Sequence, residues 1–397
     1  LFCYIGIKAV AYIKFYFLKV GIMDSEFFRD VISANGIAYI VGGYVRDKIL
    51  GTINKDMDIE VFGLSEEVLE EILKKYGNFK KVGNFEIYLL NNSVEISLNN
   101  KIWSESTNEE VLQESAKRRD LSINAIYFDP ISGKIYDPMK GTKDIKDRLL
   151  RNCDDNTFMD DPVRILRVAY FYEKYGFEVK EELKELIKLN SEKILEVVEE
   201  RIVTEFEKIL SLKNPSKAFL FLKEMGVLEK IIGVNNNLEK FEKIKTKDKL
   251  VLWGILYKGG NSFPYYFMKD KKLIGELKSI LDNYEILRSL EKKFDIYLIK
   301  KIAINTPIRA LLKIYYYIEE EKLEFIKKVF RNYLKIRKDL EPIILGRDLL
   351  ELGFQNRRDF GKILEEIYEE QLKDRFNGKE RAVEYIKKTY KEFTKSR

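Results

Sequence analysis

From Ser25 onward the apolar positions of this chain switch repeatedly between the helical and the strand period. Ser25 to Asn35 reads as a helix opened by an Asp/Ser cap, and IAYIV, Ile37 to Val41, as a strand. YVRDKILG reads as a second helix and DMDIEVFG as a second strand. LSEEVLEEILKKYG is amphipathic with Ser65 as its cap. FKKVGNFEIYLLNNSVEISL reads as two strands joined at Asn91-Asn92, and INAIYFDPISGKIYDP as a hairpin turning between Asp129 and Gly133. After Asp144 the strand signals fade. Lys/Glu-rich helical patterns follow, from DDPVRILRVAYFYEKYG to RAVEYIKKTYKEF, broken at Asn214-Pro215, Gly259-Gly260, Pro307 and Pro342. The pattern predicts an α+β fold, a mixed-sheet head followed by an all-helical remainder, with no fixed-period repeat.

Composition narrows the chemistry. A chain of 397 residues exceeds one ordinary core, and 45% hydrophobic with 34% charged residues is globular. The net charge of +6 is compatible with a polyanionic partner without establishing one. Cys3 and Cys153 form no CxxC, which argues against a disulfide framework or thiolate zinc site and fits a reducing compartment. The chain has no histidine, so catalysis has to run on carboxylates, Arg, Lys and oxygen-loving ions such as Mg²⁺ or Mn²⁺. The first 22 residues are apolar but broken by Lys8, Lys14 and Lys19, a poor membrane span without a secretory cleavage site. Met23 is read as the natural start and the prefix as an upstream extension, with a weak membrane anchor as the other reading.

Four segments carry candidate chemistry. Gly42-Gly43 ends a β-run where a helix begins, a place for close backbone approach and an anion, or an ordinary turn. Alternation puts Asp56 and Asp58 on one strand face, where they repel unless a cation neutralises them; a solvated strand edge is the bland reading. Lys117-Arg118-Arg119-Asp120, with Asn124 beyond, sets three cations and an acid at a strand edge, for phosphate and ribose or as a charged surface. Asp160-Asp161-Pro162-Val163-Arg164 opens a helix with acids at its cap, and Asp161, Arg164 and Arg167 share one helical face by spacing.

GGYVRDKILG…DMD, KRRDLSINAIYFDP, DDPVRILRVAYF and ERI..E..KIL occur in the order and spacing of the class II tRNA nucleotidyltransferases, the CCA-adding enzymes and bacterial poly(A) polymerases. The resemblance is dense from Met23 to about Leu210. It implies a polymerase-β-like head at 23–140, a neck with a base-selecting helix at 141–210, a body at 211–330 and a tRNA-contacting tail at 331–397. It implies that Asp56 and Asp58 bind a two-metal Mg²⁺ site and that Gly42, Gly43, Arg46 and Asp47 lie by the triphosphate. Arg119, Asp120 and Asn124 then hold the nucleotide; Asp137, Pro138, Gly141 and Asp144 join head to neck. Asp161 and Arg164 read the base, and Arg167 meets a phosphate. Glu95 is a candidate third carboxylate or an edge charge, and Arg357 and Arg358 are tRNA contacts or a solvated turn.

The implied activity is Mg²⁺-dependent addition of C, C and A to tRNA 3′ ends from CTP and ATP, in the cytoplasm, without membrane or obligate protein partner. The alternatives are a poly(A) polymerase, a CC-only or A-only enzyme, or a non-catalytic RNA-binding protein. Two departures stand out. Asp160 replaces the family's usual Glu, and GILYKGG, Gly254 to Gly260, stands where many relatives carry a histidine-bearing segment.

Overall fold

The computed structural model of the chain describes residues 25–52, 56–83, 86–99, 108–233, 238–244, 246–258, 270–319, 322–354 and 358–390. The prefix, Met23, Gly259-Gly260 and Arg357 lie outside them. The chain divides between Ile231 and Ile232 into two compact units.

The first unit opens with α1 (Ser25–Ser33), β1 (Ile37–Val41), α2 (Gly43–Ile49), β2 (Met57–Phe62) and α3 (Glu66–Lys74). β3 (Phe79–Lys81), β4 (Ile87–Leu90), β5 (Val94–Asn99), α4 (Asn108–Lys117), β6 (Tyr127–Phe128) and β7 (Ile135–Tyr136) follow. The seven strands form one sheet in the order β3-β4-β5-β2-β1-β6-β7. β2 runs parallel to β5 and antiparallel to β1, so the sheet is mixed and β2 is interior. Alternation on β1 and β2 sends Tyr39, Val41 and Phe62 into a core shared with Val111, Leu112 and Ala116 of α4 and Tyr127 of β6. Full burial of a ring such as Phe62 contributes about 1.5–3 kcal/mol, and Phe62 shares its strand face with the acids, so its burial fixes their register.

Beyond the sheet come α5 (Gly141–Asp147), β8 (Leu149–Leu150), α6 (Asp155–Met159), α7 (Arg164–Tyr175), β9 (Glu178–Val179), α8 (Glu181–Leu189), α9 (Glu199–Leu210), α10 (Pro215–Glu224) and α11 (Leu228–Ile232). Asp137 joins them to the sheet by accepting from the backbone N–H groups of Gly141 and Thr142 at 2.6 and 2.9 Å. Asp144 accepts from Ser122 at 2.5 Å and from Arg151 at 2.7 Å.

The second unit is helical: α12 (Lys249–Lys258), α13 (Lys271–Ser289), α14 (Ile296–Asn305), α15 (Ile308–Ile318), α16 (Leu323–Ile336), α17 (Gly346–Glu351), α18 (Phe360–Leu372) and α19 (Lys379–Thr389). α12 is apolar all round and buried, with Trp253 at its centre. Leu349, Phe354, Ile363, Ile367 and Ile386 close a core around α17, α18 and α19.

The mixed-sheet head, the turn at Asn91-Asn92 (φ 50° and 57°) and the Ser65 cap, which accepts from Val68 N–H, are as the sequence predicts. Five expectations are corrected. Residues 79–99 hold three strands, because Phe79–Lys81 pairs with β4 as an edge. The first helix stops at Ser33, with Asn35 turned left-handed (φ 65°). KRRD begins at the last residue of α4, a helix whose weak amphipathicity hid it, and does not stand at a strand edge. Strands do not end at Asp144, since β8 and β9 pair in parallel. The DDPVR helix begins at Arg164, so neither acid caps it; Asp160 instead closes α6, which Asp154 caps by accepting from Thr157 N–H.

Candidate active site

A cleft of about 1200 Å³ lies in the first unit and gathers residues from β1 to α9. Gly42, Gly43, Arg46, Asp56, Asp58, Arg119, Asp120, Asn124, Asp161, Arg164 and Arg167 all line it. Asp47 does not: it is buried behind the cleft, where Arg46 Nε donates to it at 2.9 Å and the Tyr175 hydroxyl at 2.6 Å. Glu95 is exposed on β5, in register with Asp58 across the parallel pair. Arg358 belongs to the second unit and is exposed.

The floor is β2. Asp56 precedes the strand, and Asp58 and Glu60 follow at alternate positions, so three acids face the cleft while Met57, Ile59 and Val61 are buried. Gly42 makes the floor accessible. Its φ of 74° favours glycine, and a Cβ there would sit 2.8 Å from Asp58 Oδ2 and 3.4 Å from Arg119 Nη1. Asp58 accepts no hydrogen bond from the described residues. Burial pushes its carboxyl up to about 6; Arg119 opposes the shift, and Glu95 and Asp56 add to it. Glu60 is buried and satisfied: it accepts from Arg119 at 2.9 Å, from Asn99 at 3.2 Å and from Ser115. Burial would raise its carboxyl, but the Arg119 charge and these bonds outweigh that and hold it below the usual range.

One wall is the Asp120 network. Its Oδ2 accepts from Arg167 Nε at 2.7 Å, and its Oδ1 from the Leu121 N–H at 2.8 Å and from Asn124 Nδ2 at 2.9 Å. Asn124 Oδ1 accepts from Arg46, whose guanidinium lies 4.9 Å from the Phe171 ring centre and 5.1 Å from that of Tyr175. Burial would raise the Asp120 carboxyl; Arg167 and the hydrogen bonds override it and hold it at about 2. One turn before Arg167, Arg164 donates to the backbone carbonyls of Thr157 and Arg118, the latter at 2.5 Å. Asp161 lies before the helix and is held by Arg201 of α9, Nη1 to Oδ1 at 2.9 Å and Nη2 to Oδ2 at 2.7 Å.

Sequence reasoning missed Glu60 and Arg201. Glu60 extends the same alternation that singles out Asp56 and Asp58, and Arg201 stands within the ERI segment. Tyr170, Lys174, Glu205 and Lys208 also line the cleft; Tyr170 stands in the DDPVRILRVAYF segment and Glu205 and Lys208 in ERI..E..KIL, but none was singled out as a site residue.

Asp56 and Asp58 fit a hard divalent cation. They offer oxygen donors only, and the charge of Asp56 adds to the effect of burial in pushing the Asp58 carboxyl up. No group of three or more His, Cys, Asp or Glu residues among the described residues could hold a metal by itself.

Residues 38–151 match the poly A polymerase head domain, and residues 176–233 match a domain described as a probable RNA and SrmB-binding site of polymerase A. Residues 38–151 are thus similar to that head domain. Similar proteins include the "Multifunctional CCA protein" of Legionella pneumophila, 32% identical over 217 residues, 50% of this chain and 51% of that protein. The protein of the same name from Nitrosospira multiformis is 35% identical over 208 residues, 49% of each. The chain thus spans about half the length of these curated relatives. The fold is shared more widely. A CCA-adding enzyme in complex with CTP aligns with TM-score 0.73 and 22% identity over 96% of this chain and 98% of its own. Thermotoga maritima CCA-adding enzyme complexed with tRNA aligns with TM-score 0.66 and 21% identity over 96% of this chain and 98% of its own.

Proposed function

We propose that this chain extends the 3′ end of tRNA by C, C and A, taking CTP and ATP, releasing pyrophosphate and needing no nucleic-acid template. The observation that carries this reading is that the β2 acids and the Asp161/Arg164 pair line one cleft. Bound Mg²⁺ would supply a Lewis acid that makes the 3′-hydroxyl a better nucleophile and offsets charge on the leaving pyrophosphate. Asp56 and Asp58 hold it. Gly42 lets the triphosphate approach the floor. Arg119, Asp120 and Asn124 present a cation, an acceptor and an amide toward phosphate and ribose, with Arg46 and Arg167 behind them. Asp161 and Arg164 offer an acceptor and donors to the base edge, which suits discrimination by hydrogen bonding. The helical segments beyond residue 140 serve as neck, body and tail for the tRNA, Arg357 and Arg358 among the tail contacts. A cytoplasmic location is consistent with the absence of any long apolar helix among the described residues.

A poly(A) polymerase is the second reading, favoured by the family description matched at residues 38–151. One experiment separates them: purified protein, Mg²⁺, single labelled nucleotides, and tRNA transcripts ending before CCA, after C and after CC. Stepwise C, C and A on the first transcript is the expected result. Long A-tails on unrelated RNA replace it with the second reading, and C without A, or A only after CC, marks a partial enzyme. No incorporation, with Asp58→Ala indistinguishable from the parent, removes catalysis altogether.

A further inference from the structure

Glu60 is the third acid on the β2 face, but its surroundings differ from those of the other two. It is 6% exposed, and its oxygens are taken by Arg119, Asn99 and Ser115, with the Tyr127 hydroxyl donating to Ser115 Oγ at 3.0 Å. An acid so committed is a poor ligand for a metal. Its partner is the informative group. Arg119 Nη1 lies 3.4 Å, and Asp58 Oδ2 2.8 Å, from the same point, the Cβ position of Gly42, so the two atoms are at most 6.2 Å apart. A guanidinium that close to a carboxylate with no hydrogen bond of its own has a second ion pair within reach. Among the described residues it makes none; its Nη2 instead donates to Glu60 at 2.9 Å, which turns the guanidinium toward Glu60. The residues that brace Glu60 come from β5, α4 and β6, so the arrangement is built by the sheet and not by a loop.

We propose that Glu60 is a positioning residue that holds Arg119 off Asp58, keeping Asp58 available to a divalent cation. The inference rests on the metal reading of Asp56 and Asp58. Without Glu60, a unit cation is left a few ångströms from Asp58 in a partly desolvated site. Opposite charges there attract by several kcal/mol at an effective dielectric of about 20, before the cost of rearrangement. Arg119 would then close on Asp58 and compete with the metal.

The test is a double-mutant cycle read by Mn²⁺ binding, followed through the free-ion electron spin resonance signal with Mn²⁺ alone and no nucleotide. Glu60→Gln is expected to weaken Mn²⁺ binding about tenfold, while the same change in an Arg119→Gln background has less than a twofold effect. The double variant also removes the stranded buried cation, so it stays informative if Glu60→Gln alone folds poorly. Three results overturn the proposal: unchanged binding in Glu60→Gln, an equal loss in both backgrounds, which marks a through-space effect of charge, or a loss only in the Arg119→Gln background. Asp58→Asn separates the layers. If it leaves Mn²⁺ binding intact, the metal reading falls and the inference with it; if it abolishes binding, only the inference is at stake in the cycle.

Discussion

Arg201 grips Asp161 by both carboxylate oxygens, so the acid proposed to read a nucleotide base is oriented by a residue 40 positions further along the chain. A bidentate pair fixes the plane of a carboxylate as well as its position. Arg201→Ala should therefore cost selectivity before it costs turnover. The ratio of correct CTP or ATP incorporation to UTP or GTP incorporation is expected to fall by roughly tenfold, about 1.4 kcal/mol. Both partners are partly exposed, so stability should change by less than about 1 kcal/mol. Single-nucleotide incorporation assays beside a thermal melt measure both.

Gly42→Ala adds a methyl group 2.8 Å from Asp58 Oδ2 at a φ of 74°. The backbone cost is about 1–2 kcal/mol, and the displaced carboxylate should reduce kcat on the order of a hundredfold. Gly51→Ala is the control. It sits at φ 73° with nothing within 4 Å, so it carries a similar backbone cost without touching the site. Equal activity losses in the two variants would refute the role given to the Asp58 contact.

Asp58 should leave a pH signature in the metal-free protein. Its carboxyl is raised by burial from 3.8 to about 6, so its contribution to stability is full below about pH 4 and is lost as pH rises through 6. The loss is at most about 3 kcal/mol. Asp58→Asn should accordingly melt higher than the parent at pH 8 without metal, with the advantage gone near pH 4. Thermal melts across that range check the sign.

Arg167 and Asp120 form the reverse case. Asp120 is 7% exposed and held at about 2, so its contribution is present above pH 4 and lost as pH falls toward 2. Arg167→Ala strands that carboxylate. Breaking a buried pair costs about 3–5 kcal/mol, reduced here to about 2 because Arg167 is 37% exposed. The destabilisation at pH 7 should shrink in acid, and KM for nucleotide should rise even below the melting temperature, because Asp120 loses its orientation together with its partner.

Much of this site was legible because the head obeys a simple period. Alternation in DMDIEVF gives the floor, and a β-run ending in Gly42-Gly43 gives the turn above it. The walls were less legible. α4 carries polar residues on most of its surface, so the helix that delivers Arg119 went unpredicted. The helical face assumed for Asp161 fails because Pro162 and Val163 precede the first helical residue and put the acid in a turn. Glu60 and Arg201 were visible as residues but not as partners, since pairing across 59 and 40 positions is decided by the packing of the sheet and of α9. Asp47 shows the opposite error: a motif position beside the site whose side chain turns into the core under Tyr175.

The carboxylates proposed to hold the metal sit on and just before an interior strand, whereas Asp161 and Arg164 sit on a turn and a helix end more than a hundred residues later. Phe62, Ile59 and Val61 anchor that strand in the core, so almost any change there is a change in folding. The turn at 160–163 bears no such burden beyond Pro162 and Val163. On the proposed roles, heritable variation can accumulate in the choice of nucleotide while the acids of the floor stay fixed, and the two properties can diverge at different rates in descendants of this gene.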